Sequence, residues 1–150
     1  LNSLIATGYK IPSKEKGIMI SSGGTKEKAS MLDAAQALVK NGYTVYASEG
    51  TAKFLNDNHV KAIAVAWPDE DHKDMPNVME MIADHKFDLI VNIPKNHTKR
   101  ELTNGYRIRR GAIDHNIPLM TNARLASAFI EAFCTLSQDD LQIKSWQEYE

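Results

Sequence analysis

The sequence predicts an α/β domain in which a parallel β-sheet is covered by helices on both faces. Short apolar runs typical of strands alternate about five times with stretches of helical periodicity, in single file and without an internal repeat. The run at 87–93 is apolar on both faces, as in a buried parallel strand. Polar residues follow four of the strands, and topology places the carboxyl ends of parallel strands on one rim.

The composition fits one globular domain and argues against several classes of function. The 150 residues are 43% hydrophobic with a net charge of −1, so no electrostatic reason exists to expect a nucleic-acid partner or an anionic membrane. No apolar run approaches the length of a membrane span. Cys134, the single cysteine, lies in an apolar helical pattern, which favours a core position and a reducing compartment. Because the chain begins with Leu1, we expect a piece of a longer protein, although processing would look the same.

The first part of the chain predicts a connector and one strand–helix unit. Residues 1–16 contain Gly, Pro and a charged run, as a connector does. Residues 17–21 predict the central strand, and 26–41 predict a helix. The turn between them is rich in small residues, with Thr25 as the expected N-cap, but it lacks a full phosphate-binding motif.

The stretch 43–55 is the most informative part of the sequence. Residues 43–47 alternate as a strand does, and a hydroxyl-rich turn then opens a helix. Free backbone N–H groups and the helix dipole favour an anion there, the hydroxyls of Ser48 and Thr51 add hydrogen-bonding groups, and Gly50 allows close approach. The alternative is that Thr51 is simply an N-cap and Gly50 an ordinary turn glycine, and the residues alone leave both readings open.

The next elements end in two ambiguous features. Residues 60–66 predict a third strand, which ends at Trp67, a residue that covers either a ligand or the core. The acidic run 69–74 is interpreted as a solvated loop, because it has no preorganised metal-ligand spacing. A helix is predicted at 77–85, with its apolar side chains inward.

The last third of the chain predicts two more strands and two helices. After the strand at 87–93 we expect a loop near 104–105, then a helix at 109–115. Arg107, Arg109 and Arg110 form a basic cluster, which binds phosphate or pairs with nearby acids. A strand at 118–121 is followed by a helix that Thr121 or Asn122 caps. Polar residues from Asn92 to Lys95 follow the fourth strand at its carboxyl end. The tail is expected to pack on the domain through apolar side chains at 141–146.

The polar rim lacks the residues that proton transfer requires. No histidine is expected at the carboxyl end of a strand, and Glu49 is the one carboxylate near the central turn. A pocket of this kind holds an anion without moving protons, which favours binding over catalysis.

Five motifs in order resemble the methylglyoxal synthase-like (MGS-like) domain, and more closely the version that ends the large subunit of carbamoyl phosphate synthetase. These are GIMIS, KNGYTVYASEGTAKFL, VAWP, FDLIVNIPKNHTK and YRIRRGAIDHNIPLMTN. The resemblance covers residues 17–136. Residues 1–12 are similar to the segment that leaves the second ATP-grasp half of that subunit.

The resemblance implies a Rossmann-like fold with a five-stranded parallel sheet in the order 3-2-1-4-5. Residues 1–16 would be a linker remnant, 17–136 the allosteric domain and 137–150 a tail packed on it. The domain would lack catalysis and cofactors of its own, and would regulate cytoplasmic carbamoyl phosphate synthesis for arginine and pyrimidines. Its partners would be a small anionic effector, ATP-grasp domains of the same chain that use ATP with Mg or Mn, and a glutaminase small subunit. Self-association stays open.

The resemblance also implies a set of effector-binding residues. Trp67 stands where nucleotide-regulated bacterial members have lysine and the N-acetylglutamate-activated animal enzyme has tryptophan. The chain departs from the bacterial pattern at Ile93 and Pro94, where those members have threonines, and from the animal pattern at Lys95, so a nucleotide and N-acetylglutamate both remain candidate effectors. The enzyme alternative is a methylglyoxal synthase-type lyase, whose catalytic aspartate and histidine motifs are absent from this sequence. The implied effector-binding residues are Ser22, Lys28, Ser48, Thr51, Trp67, Asn92, Lys95 and Asn104.

Overall fold

The computed structural model describes residues 11–23, 25–70, 74–93 and 98–138, which form a five-stranded parallel sheet between two layers of helices. The strands are β1 Gly17–Ser22, β2 Thr44–Ser48, β3 Ile63–Val65, β4 Phe87–Ile93 and β5 Leu119–Met120. The helices are α1 Thr25–Lys40, α2 Glu49–Asp57, α3 Val78–Ala83, α4 Lys99–Asp114 and α5 Ala123–Gln138. The strand order is β3-β2-β1-β4-β5, so the predicted α/β class and the order 3-2-1-4-5 are confirmed.

Strands β1 and β4 lie at the centre of the sheet and are buried on both faces, because each face carries its own hydrophobic core. Ile18 and Ile20 of β1 face the core formed with α1, α2 and α5. Met19, which alternates with them, faces the core formed with α3 and α4. Cys134 of α5 is 3% exposed in the first core, as predicted, and burial raises the pKa of its thiol to about 11.

Strand β3 is shorter than the predicted 60–66, because the residues before it are bound by the end of α2. The Asn56 side chain accepts a hydrogen bond from the Ala62 N–H at 3.0 Å and donates one to the Ala62 carbonyl at 3.1 Å. The Val60 N–H donates to the Leu55 carbonyl at 2.9 Å. This backbone is thus paired with α2 before the strand begins.

Helix α2 begins at Glu49, two residues before the predicted start, which excludes an N-cap role for Thr51, one of the two readings that the sequence left open. The N-cap is Ser48, whose side chain makes no capping hydrogen bond. Thr51 lies inside the first turn, and its hydroxyl binds the backbone of Ser22 in another strand. A long-range partner has therefore taken the hydroxyl that a local reading assigns to a cap.

Helix α4 runs through Asn104 and Gly105, so the predicted loop at that point is wrong. Asn104 is buried, and Ile108 one turn later is fully buried in the core below the helix. A Cβ at Gly105 would lie 3.8 Å from the Asn92 amide nitrogen, so this position of the helix lies close to the end of β4. Tertiary packing overrides the turn preference of an Asn-Gly pair here.

The remaining helices and strands end within two residues of their predicted bounds, and Asn122 caps α5 as predicted, since its side chain accepts the Leu125 N–H at 2.9 Å. The region of the predicted connector that the structure describes is attached to the start of the sheet. The Tyr43 hydroxyl donates to the Pro12 carbonyl at 2.8 Å, and the Ser13 N–H donates to the Asp88 carboxylate at 2.7 Å. The rest of the predicted connector and the tail from 139 lie outside the described residues. Within the described ranges, no helix has the length and apolar character needed to cross a bilayer.

Candidate functional site

The buried polar side chains of the described chain lie where strands β1, β2 and β4 end and where α2 and α4 adjoin them, a region named here the carboxyl rim. Polar groups are costly to bury without hydrogen-bond partners, so their concentration in one region marks a candidate site. Two of them, Ser21 and Asn92, are directly paired in the register of β1 and β4. The six buried polar residues are Ser21, Ser22, Ser48, Thr51, Asn92 and Asn104.

Thr51 joins the ends of two strands to the start of α2. Its Oγ1 accepts a hydrogen bond from the Ser22 N–H at 3.1 Å and donates one to the Ser22 carbonyl at 3.1 Å. The Ser48 hydroxyl donates to the same oxygen at 3.2 Å. A hydroxyl offers one donor and two acceptor positions, so that of Thr51 is fully used. Its role in this structure is to position the rim.

The hydroxyl of Ser22 is in the opposite state. Its Oγ is buried and has no hydrogen-bond partner among the described residues, although its own backbone is bound on both sides by Thr51. An unpartnered buried hydroxyl costs about 1–3 kcal/mol relative to a satisfied one. A group that entered the rim and bonded to Ser22 would recover that free energy.

A positive region lies at the start of α2. The Lys28 ammonium would be 3.5 Å from a Cβ built at Gly50, so it lies against the first turn of the helix. The helix N-terminus is itself positive, and among the described residues no carboxylate forms a salt bridge with Lys28. Glu49, the acidic residue of this turn, is exposed. Two positive groups that lie this close favour an anion between them.

A cavity of about 420 Å³ opens beside Asn92, between α4 and the end of β5. Asn92 is 7% exposed, and no hydrogen bond of its side chain is found within the described ranges. Arg109 also lines the cavity, and none of the described acids forms an ion pair with it. The described lining is completed by Leu102, Gly105, Tyr106, Leu119 and Thr121.

An ion pair fastens the loop after β3 to the start of α4. Arg100 donates to the Asp69 carboxylate from two guanidinium nitrogens, Nε at 2.6 Å and Nη2 at 3.1 Å. Its Nη2 also lies 3.5 Å from a Glu70 carboxylate oxygen. The hydrogen bonds from Arg100 first, and then from Asn104, hold the pKa of the Asp69 carboxyl below its usual value. Asn104 therefore contacts the loop that contains Trp67. The half-buried indole of Trp67 packs against the core formed with α3 and α4.

The structure brings most of the predicted site residues to the carboxyl rim. Ser22, Ser48 and Thr51 form one hydrogen-bonded cluster beside Lys28. Of the other described members, Asn92 lines the cavity, whereas Asn104 contacts the loop of Trp67 through Asp69, and neither Asn104 nor Trp67 lines it. Lys95 lies outside the described residues.

Sequence reasoning missed the pairing of Asp69 with Arg100, because the two are 31 residues apart and no local pattern joins them. Sequence reasoning placed Arg109 in a basic cluster but did not predict that it lines the cavity beside Asn92. The partner predicted for that cluster is found for Arg110, whose Nε lies 3.4 Å from an Asp114 carboxylate oxygen.

Comparisons with known proteins agree with this architecture. A family model described as the MGS-like domain matches residues 30–121. The multifunctional protein CAD of Squalus acanthias is 38% identical, with 88% of this chain and 6% of CAD covered. The multifunctional protein URA2 of Saccharomyces cerevisiae is 37% identical, with 88% and 6% covered. The mitochondrial carbamoyl-phosphate synthase (ammonia) of Homo sapiens is 38% identical, with 88% and 9% covered. The chain thus spans 6–9% of the length of these curated relatives.

Two solved structures share the fold at low sequence identity. The methylglyoxal synthase from Elizabethkingia anophelis NUHP1 superposes with a TM-score of 0.53 at 14% identity, over 80% of each chain. ForH superposes with a TM-score of 0.54 at 18% identity, over 83% of this chain and 81% of its own. With the family model and the relatives, these findings establish that the chain belongs to the MGS-like domain family.

Proposed function

We propose that this chain binds a small anionic effector at the carboxyl rim and thereby regulates carbamoyl phosphate synthesis in a longer protein, without catalysing a reaction itself. The observation that carries the proposal is the concentration of buried polar side chains at the carboxyl rim, where Ser22 Oγ lacks a partner among the described residues and Asn92 lines a cavity. A ligand that hydrogen-bonds to these groups would gain binding free energy, because water in a narrow pocket satisfies them less completely.

The charges near the rim support an anionic ligand. Lys28 and the N-terminus of α2 lie together at one side of the rim, and Arg109 lines the cavity at another. An effector could place one anionic group at Lys28 and the N-terminus of α2, and its polar body against Asn92 and Arg109 in the cavity. A phosphate or a carboxylate satisfies this requirement, so nucleotides and N-acetylglutamate are both suitable probes.

The residues around the cavity support binding over catalysis. The described lining contains no carboxylate and no imidazole, which are the usual groups for proton abstraction near neutral pH. The thiol of Cys134 is buried and its pKa is raised to about 11, so it is not an activated nucleophile. A methylglyoxal synthase-type reaction would require a base at this place.

The relatives support the part of the proposal that concerns carbamoyl phosphate synthesis in a longer protein. They are named as carbamoyl-phosphate synthase or as multifunctional proteins, and this chain matches a small part of each. In the proposed parent protein, ATP-grasp domains would use ATP with Mg or Mn, and a glutaminase subunit would supply ammonia, for arginine or pyrimidine synthesis. The effector would act by binding one conformational state of that protein more tightly than another.

The first test is a thermal-shift panel on the 150-residue chain. The probes are uridine and inosine monophosphates, uridine triphosphate, phosphoribosyl pyrophosphate, ornithine, N-acetylglutamate and dihydroxyacetone phosphate. A ligand that binds the folded state raises the melting temperature, because at 100 times its Kd it stabilises that state by about 2.7 kcal/mol. We expect a shift with at least one anion, and the same anion should change the rate of carbamoyl phosphate synthesis in the full-length protein. Methylglyoxal release from dihydroxyacetone phosphate would contradict the non-catalytic part.

Two arginines on α4 provide a matched control. Arg109 lines the cavity and Arg107, also exposed, does not. Arg109→Gln should weaken the ligand found in the panel by about tenfold, the loss of one charged hydrogen bond, while Arg107→Gln leaves its affinity within about twofold. Equal weakening by both variants would mean that overall charge, and no specific pocket, holds the ligand.

A further inference from the structure

Two histidine side chains meet where α3 and α4 end, at the edge of the sheet opposite the carboxyl rim. The ring centroids of His85 and His115 are 5.3 Å apart, with an angle of 66° between the ring planes. His85 precedes β4 and His115 precedes β5, so both lie at the amino-terminal edge. Neither residue belongs to the candidate effector site.

Close packing of the two helices fixes this meeting. A Cβ at Gly111 of α4 would lie 3.0 Å from Met79 Cε and 3.3 Å from Ile82 Cγ2, so glycine is what allows α4 to approach α3 this closely. His85 adopts a left-handed backbone conformation with φ of 56°, and its N–H donates to the Ile82 carbonyl at 3.1 Å. The backbone of His85 is therefore set by the fold.

One ring nitrogen of His115 is already engaged by the protein. Nδ1 lies 2.9 Å from the Gly111 carbonyl oxygen, which accepts a hydrogen bond and cannot donate one. The proton of the neutral ring is thereby assigned to Nδ1, which leaves Nε2 with a free lone pair. Metal-binding histidines are commonly oriented by such a hydrogen bond from the second nitrogen to a carbonyl group.

The separation of the rings is compatible with two ligands on one tetrahedral ion. With a Zn–N bond of about 2.1 Å and about 1.2 Å from the nitrogen to the ring centre, two imidazoles on one tetrahedral ion have centroids about 5.4 Å apart. The observed distance is 5.3 Å. The ends of two helices also meet here, and the negative ends of their dipoles favour a cation.

We therefore propose that His85 and His115 bind one divalent transition-metal ion of the zinc type. Imidazole nitrogens suit Zn²⁺, Ni²⁺ and Cu²⁺ and disfavour Mg²⁺ and Ca²⁺. Among the described residues no cluster of three histidine, cysteine or acidic side chains is placed to hold a metal, so water molecules complete the coordination shell. The proposal is independent of the proposed function, because the pair lies at the other edge of the sheet.

The test is a calorimetric titration of the 150-residue chain with zinc chloride at neutral pH. We expect one site that His85→Asn and His115→Asn each weaken by about 100-fold, because two linked ligands bind far more tightly than one. Asparagine is chosen because it tolerates the left-handed backbone of His85. The matched control is His59→Asn, which also stands at a left-handed position, with φ of 66°, and which should leave the affinity unchanged.

A second readout reports on the two rings directly. Zinc should shift the imidazole ¹⁵N resonances of His85 and His115 together and leave those of His59 in place, and each variant is compared only after circular dichroism shows native helix content. Absence of zinc binding in the unaltered chain would overturn the proposal. Unchanged affinity in the His85→Asn, His115→Asn double variant would also overturn it, since the contact would then be ring packing alone.

Discussion

The two edges of the sheet are built in opposite ways. At the amino-terminal edge, polar groups pair within the chain: the Gly17 N–H donates to the Lys86 carbonyl at 2.7 Å, and the Tyr43 hydroxyl donates to the Pro12 carbonyl. Aromatic packing supports this edge, since the Tyr43 and Phe133 rings meet at 5.5 Å. At the carboxyl rim, Ser22 Oγ is buried without a partner among the described residues.

This difference teaches where a single fold places stability and where it places the proposed effector site. Around Tyr43 the amino-terminal edge is closed, and burial raises the pKa of Tyr43 to about 12. At the carboxyl rim the Ser22 hydroxyl lacks a partner among the described residues, which costs stability and would provide binding free energy for the proposed ligand. Parallel sheets favour this division because the carboxyl ends of the strands and the N-termini of the helices that follow them meet at one edge of the sheet.

The comparison is tested most strongly at the closed edge. Phe133→Ala should lower the free energy of unfolding by about 3–5 kcal/mol, because it removes a fully buried ring from the core. Urea denaturation measures the change, with Phe133→Leu as a milder control that keeps most of the volume. A loss below about 1 kcal/mol from Phe133→Ala would mean that this edge is not a main source of stability.

A smaller loss is expected where the rim is internally bonded. Thr51→Val keeps the shape of the side chain but leaves the backbone N–H and carbonyl of Ser22 without their partner, which should cost about 1–3 kcal/mol. Thr51→Ser retains the hydroxyl and should retain most of the stability. If denaturation midpoints of the two variants agree, the hydroxyl bonds to Ser22 do not stabilise the fold.

The sign of the effect should reverse at the unpaired hydroxyl. Ser22→Ala removes a buried group that has no partner among the described residues, so the free energy of unfolding should rise by about 1 kcal/mol. The same variant should bind the ligand found in the thermal-shift panel less tightly. A destabilised Ser22→Ala variant would show that the hydroxyl is satisfied in solution, which would remove the contrast between the edges.

The smallest effect is expected at the exposed ion pair. Asp69→Asn should cost below about 1 kcal/mol, because both partners are solvent-exposed and water screens the pair. The pKa of Asp69 is lowered in the folded state, so its stabilisation exists above the ordinary carboxyl pKa and disappears as the pH falls through the folded-state value.

The free energies of unfolding of the unaltered chain and of Asp69→Asn should therefore differ at about pH 7, and the difference should shrink as the pH falls below the ordinary carboxyl pKa. The free energy of unfolding measured in urea at each pH gives this comparison. A difference that persists unchanged at the lower pH would exclude the charge of Asp69 as its source.

Much of the fold could be predicted because its determinants are local and repeated. The run 87–93 is apolar at nearly every position, and it became β4 with its ends as predicted. Alternation of strands and helices fixed the parallel class, whereas the strand order came from the resemblance to a family. Cys134 was assigned to the core from its helical surroundings, and the structure confirms that position.

The parts that could not be predicted depend on partners distant in sequence. Thr51 has the sequence context of an N-cap, but Ser22, 29 residues earlier, takes its hydroxyl. Asn104 and Gly105 have the composition of a turn, yet the contact of Asn104 with Asp69 and the closeness of Asn92 hold them in a helix. No pattern in the sequence reports such contacts, so these site details required the three-dimensional arrangement.

Gly105 sets stability and ligand capacity against each other during evolution. A methyl group would fit there, since its nearest neighbour would be the Asn92 amide nitrogen at an ordinary contact distance of 3.8 Å. Alanine in a helix interior is more stable than glycine by about 0.5–1 kcal/mol. Selection for heat resistance alone would therefore replace Gly105 with alanine, and each added carbon would narrow the cavity it lines. Glycine at this position therefore gives a less stable helix and a wider cavity at the same time.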